Sequence, residues 1–212
     1  MADEEDLADA PRVVGVLSAL LERVVERNDA VADELTAGTA SAASLAPPPS
    51  AFRATARPDI SVRSYMARIA RPACYVVAYV YLDRLLRRDR RGRGALAVDS
   101  YSVHRLLITA VLAAVKFMDD VCYNNAYFAR VGGISLAEMN YLEVDFLFAV
   151  GFDLNVSPET FGHYCAVLRA EMLYLELEGP PPAAAASGPR LHSCCLSEDD
   201  GSSSNSQQQL AA

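Results

Sequence analysis

The stretch Cys74-Tyr-Val-Val-Ala-Tyr-Val-Tyr-Leu-Asp-Arg-Leu-Leu86 decides how the rest of the chain is read. It is apolar almost all the way round, with Asp83 and Arg84 its only charges. Its β-branched residues and tyrosines would also suit a strand, but a run of about 15 residues favours a helix buried on every side. Pro72, well suited to a first helical turn, marks the start, and the helix is expected to reach about Arg88.

Outward from this segment every periodic stretch is helical. On the C-terminal side Val103, Leu106, Leu107, Ala110, Val111, Ala114 and Val115 form one apolar stripe. The Arg- and Gly-rich segment 89–101 reads as the loop before it. A short turn of helix follows over 124–130, stopped by Gly132-Gly133. Ser135-x-x-Glu138 is a capping box and opens a helix to about Val150, ended by Gly151. Ser157-Pro158 starts a last helix that reaches about Leu175. On the N-terminal side a short helix is expected over 60–69. An amphipathic one is expected over 11–36, where Val13, Val14, Leu17, Leu20, Leu21, Val24 and Val25 recur at helical spacing. The fold class is all-α.

Charge divides the 212 residues into three regions. Residues 1–51 balance at −7, residues 52–176 at +2 and residues 177–212 at −3. The first region is an acidic extension with one helix and a linker ending in Pro47-Pro48-Pro49; the second is the folded domain. The third, rich in Pro, Ala, Ser and Gln, has the composition of a disordered tail. A near-neutral middle argues against a nucleic-acid partner, which calls for a basic excess. No apolar run reaches the ~18 residues of a membrane helix, so no membrane partner is expected. Five scattered cysteines make no disulfide framework. The acidic start Met1-Ala-Asp-Glu-Glu-Asp6 is unlike a secretion signal. A soluble protein of a reducing compartment, not secreted, is the expectation.

The residues do not assemble a catalytic site, and neither metal nor cofactor is expected. His104, at a helix start, reads as a surface or cap residue. His163 and Cys165 stand two apart on one helix, which points them away from each other. His192, Cys194 and Cys195 lie in the tail without a second pair of zinc-ligand spacing. The basic cluster Arg87, Arg88, Arg90, Arg91 and Arg93 is open to two readings. One is a solvated loop at the C-terminal end of a helix, and the other a docking loop for acidic ligands or nuclear import.

Lys116 is the only lysine in the chain, against 18 arginines, and it ends the apolar stripe in Ala113-Ala-Val-Lys-Phe-Met-Asp-Asp120. A lysine there can send a flexible point charge out from the edge of a buried helix. Glu143, within Asn140-Tyr-Leu-Glu-Val-Asp-Phe146, is its natural counterpart. Such a carboxylate among apolar residues is costly unless paired internally or delivered to a partner.

Ile60-Ser-Val-Arg-Ser-Tyr-Met-Ala-Arg-Ile69, Tyr79-Val-Tyr-Leu-Asp-Arg-Leu85, the run Arg105–Asp120 and Tyr123-Asn-Asn-Ala-Tyr-Phe-Ala-Arg-Val-Gly-Gly-Ile-Ser135 together resemble the plant P-type (U-type) cyclins. Those are in turn similar to the yeast cyclins of phosphate-starvation signalling. The resemblance implies a five-helix cyclin box over about 60–150, with the N-terminal helix and the helix after Ser157 packed on it. It implies no catalysis by the chain itself. The implied partner is a cyclin-dependent protein kinase of cell-cycle type, bound as a heterodimer and activated in cell division or phosphate-related regulation. Nucleus and cytoplasm are the implied compartments. Carried over residue by residue, Lys116 and Glu143 match kinase-contacting positions, and Asp83 matches an aspartate that braces the box from within. Two departures from family patterns stand out. The link Arg68-Ile-Ala-Arg-Pro-Ala-Cys74 is several residues short, which suggests an early end to the first box helix. The Met-Arg-Ala-Ile-Leu substrate-docking sequence of cell-cycle cyclins is not present. The alternative function is an adaptor that uses a cyclin-like box without activating a kinase.

Overall fold

The computed structural model describes residues 10–37, 50–69, 72–92, 96–118 and 124–178. Among the described residues seven helices follow one another: α1 (Ala10–Ala37), α2 (Val62–Arg68), α3 (Pro72–Gly92), α4 (Val103–Met118), α5 (Asn125–Gly132), α6 (Leu136–Ala149) and α7 (Pro158–Glu178). The described residues contain no strand, and the chain is all-α as expected. Helices α2 to α6 are the five of the box.

Local signals set most helix ends. Ser61, Asn124 and Ser135 cap α2, α5 and α6, each side-chain oxygen accepting from a backbone N–H three residues on. Ser157 does the same for Thr160 at 3.1 Å, at the start of α7. Gly133, at φ 70°, closes α5 in the left-handed conformation that glycine adopts without steric cost.

Three helices differ from the sequence reading, α7 by running on to Glu178, past the expected end at about Leu175. Helix α2 spans only Val62–Arg68, shorter than the expected 60–69. Helix α3 runs on through Gly92, so Arg87, Arg88, Arg90 and Arg91 lie on a helix and not in a loop. Arginine is a good helix former, and nothing between Leu86 and Gly92 breaks the helix. Arg93 lies outside the described residues, as does the 177–212 tail beyond Glu178.

Helix α4 is the centre of the box. From Val103 to Val115 all its residues but Arg105 are buried, and it packs against α2, α3, α5 and α6. Helix α3 lies beside it, with Val76, Tyr81 and Val80 almost fully enclosed. Its other side is covered by α1 and α7. Charge sets residues 1–51 apart from the box, but α1 is packed into it. Val13, Val16, Leu17, Leu20 and Val25 of α1 enter the same core as α2 and α3. Near its C-terminal end α1 also ties down the approach to α4, through Asn28 Nδ2 on the Val98 carbonyl (2.8 Å) and the Ser100 N–H on Asp29 (3.1 Å).

His104 is buried at the start of α4. Its Nε2 lies 2.9 Å from the Ile60 carbonyl, and its ring meets Tyr65 edge to face. It is neither a cap nor a surface residue. The segment entering α2 supplies the carbonyl that draws the ring inward. Burial holds its pKa below the ordinary histidine value, partly offset by the Ile60 bond and reinforced by the positive charge of Arg57.

Candidate functional site

The C-terminal end of α4 emerges from the core at Lys116, and Phe117 and Met118 after it are exposed. Helix α6 approaches from the side. Its inner face, Met139, Leu142 and Phe146, is buried, while Leu136, Tyr141, Val144 and Phe148 point outward, with Tyr141 62% and Phe148 69% exposed. Of these, Tyr141, Val144 and Phe148 recur at three and four residues and form an apolar stripe along the helix. Phe148 meets Phe152 edge to face, at 5.1 Å between ring centres.

The end of α6 is built to place Phe152. Gly151 and Phe152 both take positive φ, 64° and 58°, and the Phe152 N–H reaches back to the Leu147 carbonyl at 2.9 Å. A bulky residue in that region is uncommon. Gly151 adopts that φ without steric cost, and a Cβ there would press on the Arg88 guanidinium, which donates to the Val150 carbonyl at 2.6 Å.

Lys116 and Glu143 meet where α4 and α6 cross. Nζ lies 2.7 Å from Oε1, with the lysine side chain 36% and the glutamate 17% exposed. The other oxygen, Oε2, accepts from Asn125 Nδ2 at 2.6 Å, and the same amide donates to Asn140 Oδ1 at 2.8 Å. Three helices are thus joined at one carboxylate. The two charges that could have faced a partner separately are paired with each other, half in water, beside an exposed apolar stripe.

The remaining singled-out residues serve elsewhere. Asp83 accepts from Tyr164 of α7 at 2.5 Å and pairs with Arg87 one turn along α3 at 2.8 Å. Asp83 therefore joins α3 to α7 from within. Arg87 and Arg88 have internal partners, Asp83 and the Val150 carbonyl. Arg84 next to them holds the Asp153 and Asn155 carbonyls at 2.8 and 2.9 Å. This end of α3 is therefore a clasp on the α6–α7 turn. His163 is exposed and its neighbour on the same helix, Cys165, is buried. His192, Cys194 and Cys195 lie outside the described residues. Among the described residues no three metal-ligating side chains converge, and no helix is long and apolar enough to cross a membrane.

Sequence reading did not single out Asn125, because an asparagine at a helix start looks like a cap; Asn124 has that role. It also passed over Phe148 and Phe152, whose exposure nothing in the local sequence marks. Only the positive-φ turn shows where Phe152 goes.

The profile of the cyclin family matches residues 11–154, from α1 to the turn after α6. The chain belongs to the cyclins. Within them it groups with the plant P and U types. It is 62% identical over 177 residues to Cyclin-P4-1 of Oryza sativa subsp. japonica, across 81% of this chain and 79% of that one. It is 47% identical over 181 residues to Cyclin-U4-1 of Arabidopsis thaliana (83% and 84% of the two chains). With Cyclin-U4-2 of the same plant the identity is 45% over 184 residues (84% and 80%). As a cyclin the chain is a regulatory subunit and not an enzyme. The family match begins inside α1, in keeping with the packing of that helix into the box core.

Proposed function

We propose that this cyclin binds a cyclin-dependent serine/threonine kinase through the outer stripe of α6 and the emerging end of α4, and activates it. The observation that carries the reading is the Lys116–Glu143 pair set in exposed apolar surface. Exposed Tyr141, Val144, Phe148 and Phe152 gain from losing water, and the paired charges fix register. Activation by such a partner is allosteric. Kinase chemistry needs a lysine–glutamate pair formed inside the kinase and its activation loop in place. A cyclin that binds this state better shifts the population toward it. The proposal extends to a heterodimer with a cell-cycle-type kinase, met in nucleus and cytoplasm, in cell-division or phosphate-related regulation.

Co-precipitation with a purified plant cell-cycle-type kinase, followed by phosphorylation of histone, is the test. Wild-type chain is expected to bind and stimulate. Lys116→Ala and Glu143→Ala should each weaken binding by about 2–5 kcal/mol while circular dichroism stays unchanged. Variants that bind like wild type would overturn the docking assignment. Binding without stimulated phosphorylation would instead support an adaptor.

A further inference from the structure

We infer that Asn125 is a positioning residue for the Lys116–Glu143 pair, an assignment that rests on the kinase-docking reading above. Its amide takes one oxygen of Glu143 and so holds the other on Lys116 before any partner arrives.

The orientation of the amide follows from its neighbours. Glu143 Oε2 at 2.6 Å and Asn140 Oδ1 at 2.8 Å are both acceptors, so the NH2 group must face them. Asn125 Oδ1 is then turned to the buried side, where it meets no donor among the described residues. An orphaned buried acceptor is destabilising, and an apolar side chain would fill the α5–α6 contact without it. Packing alone does not call for an asparagine here. The amide's contribution is therefore its two donated bonds, one to Asn140 and one to Glu143, and only the second reaches the charged pair.

The chemistry suits that task. A lysine–glutamate pair half in water is loosely held, since both long side chains must be ordered for a small Coulombic gain. Fixing Oε2 from α5 removes the freedom of the carboxylate to turn away. A partner then meets a preformed pair and the ordering cost of binding falls. A neutral donor does this without drawing Glu143 off Lys116, as an arginine at this position would.

The experiment measures affinity of the full chain for a purified plant cell-cycle-type cyclin-dependent kinase, with thermal midpoint recorded in parallel. Asn125→Ala is expected to weaken binding roughly tenfold, with the midpoint little changed because loss of the orphaned acceptor offsets loss of the two donated bonds. Asn125→Asp, equal in shape but without the donors, should lose at least as much, and it serves if the alanine variant does not fold. Combined with Lys116→Ala, Asn125→Ala should add less than about a twofold further loss, since the residue acts only through the pair. If Lys116→Ala weakens binding and both Asn125 variants bind like wild type, the positioning role fails and the docking reading stands. The role also fails if Asn125→Ala lowers the midpoint and its loss multiplies in full with that of Lys116→Ala, the pattern of ordinary packing. Wild-type chain that binds no such kinase, or Lys116→Ala binding unchanged, removes both readings.

Discussion

Helices α4 and α6 are about equally apolar in sequence, and they cross at Lys116 and Glu143, yet they do opposite things with their side chains. In α4 twelve residues from Val103 to Val115 are buried, and after Arg105 no charge appears until Lys116. In α6 three residues, Met139, Leu142 and Phe146, are buried, and Tyr141, Val144 and Phe148 are spent on the surface. One helix is enclosed by its neighbours, while the other leaves half its circumference to water. Hydrophobicity measures how much apolar surface a helix owns, and only the surrounding packing says whether the chain itself consumes it.

The largest expected effect tests the enclosed helix. Leu112→Ala, at a position with no exposure, should cost about 2–5 kcal/mol of stability in urea unfolding. A cost under about 1 kcal/mol would mean α4 is not the central element. On the surface helix, Phe148→Ala should leave stability within about 0.5 kcal/mol and weaken kinase binding by about 2 kcal/mol. A thermal midpoint that falls together with affinity would erase the distinction between the two helices. Where α6 ends, Gly151→Ala should destabilise by about 1–2 kcal/mol from backbone conformation alone, before any clash with Arg88; thermal unfolding checks it.

The smallest effect concerns His104 at the start of α4. Its folded pKa lies below the unfolded value, so the unfolded chain binds more protons in the interval between them. Its stabilising contribution is present above the ordinary histidine pKa of about 6.5 and is lost as pH falls toward the folded value. Wild-type midpoints should therefore drop between pH 7.5 and 5.5, and His104→Gln should flatten that drop. An unchanged slope would show that other groups set it.

Much of the architecture was legible because its signals are local. Ser135 and Glu138 announce the start of α6 within four residues, and Gly133 and Gly151 announce ends that only glycine accommodates easily. Lys116 and Glu143 could be named because one lysine among arginines, and one carboxylate among apolar residues, are anomalies within their own segments. Their closure on each other was only one of two readings left open, since it depends on how α4 crosses α6. Asn125 was missed for a related reason, because its partners sit 15 and 18 residues away and its residue type fits a cap. The full length of α3 was missed because an arginine run reads as solvent-facing loop, although arginine extends a helix well. His104 was misplaced because its carbonyl partner, Ile60, is 44 residues distant.

Tyr75 of α3 donates its hydroxyl toward the carbonyls of Met66 and Ile69 at the end of α2, and burial raises its pKa well above the ordinary tyrosine range. Carbonyls at a helix end are ordinarily satisfied by the chain that follows directly, or by water. Here the Ile69 N–H does so for Met66 at 2.9 Å, and a phenol on the next helix adds a second donor from the core. The terminus of α2 is thus braced from inside the core as well as by its own backbone. The end of the first box helix is tied into the core by a side chain six residues beyond Ile69.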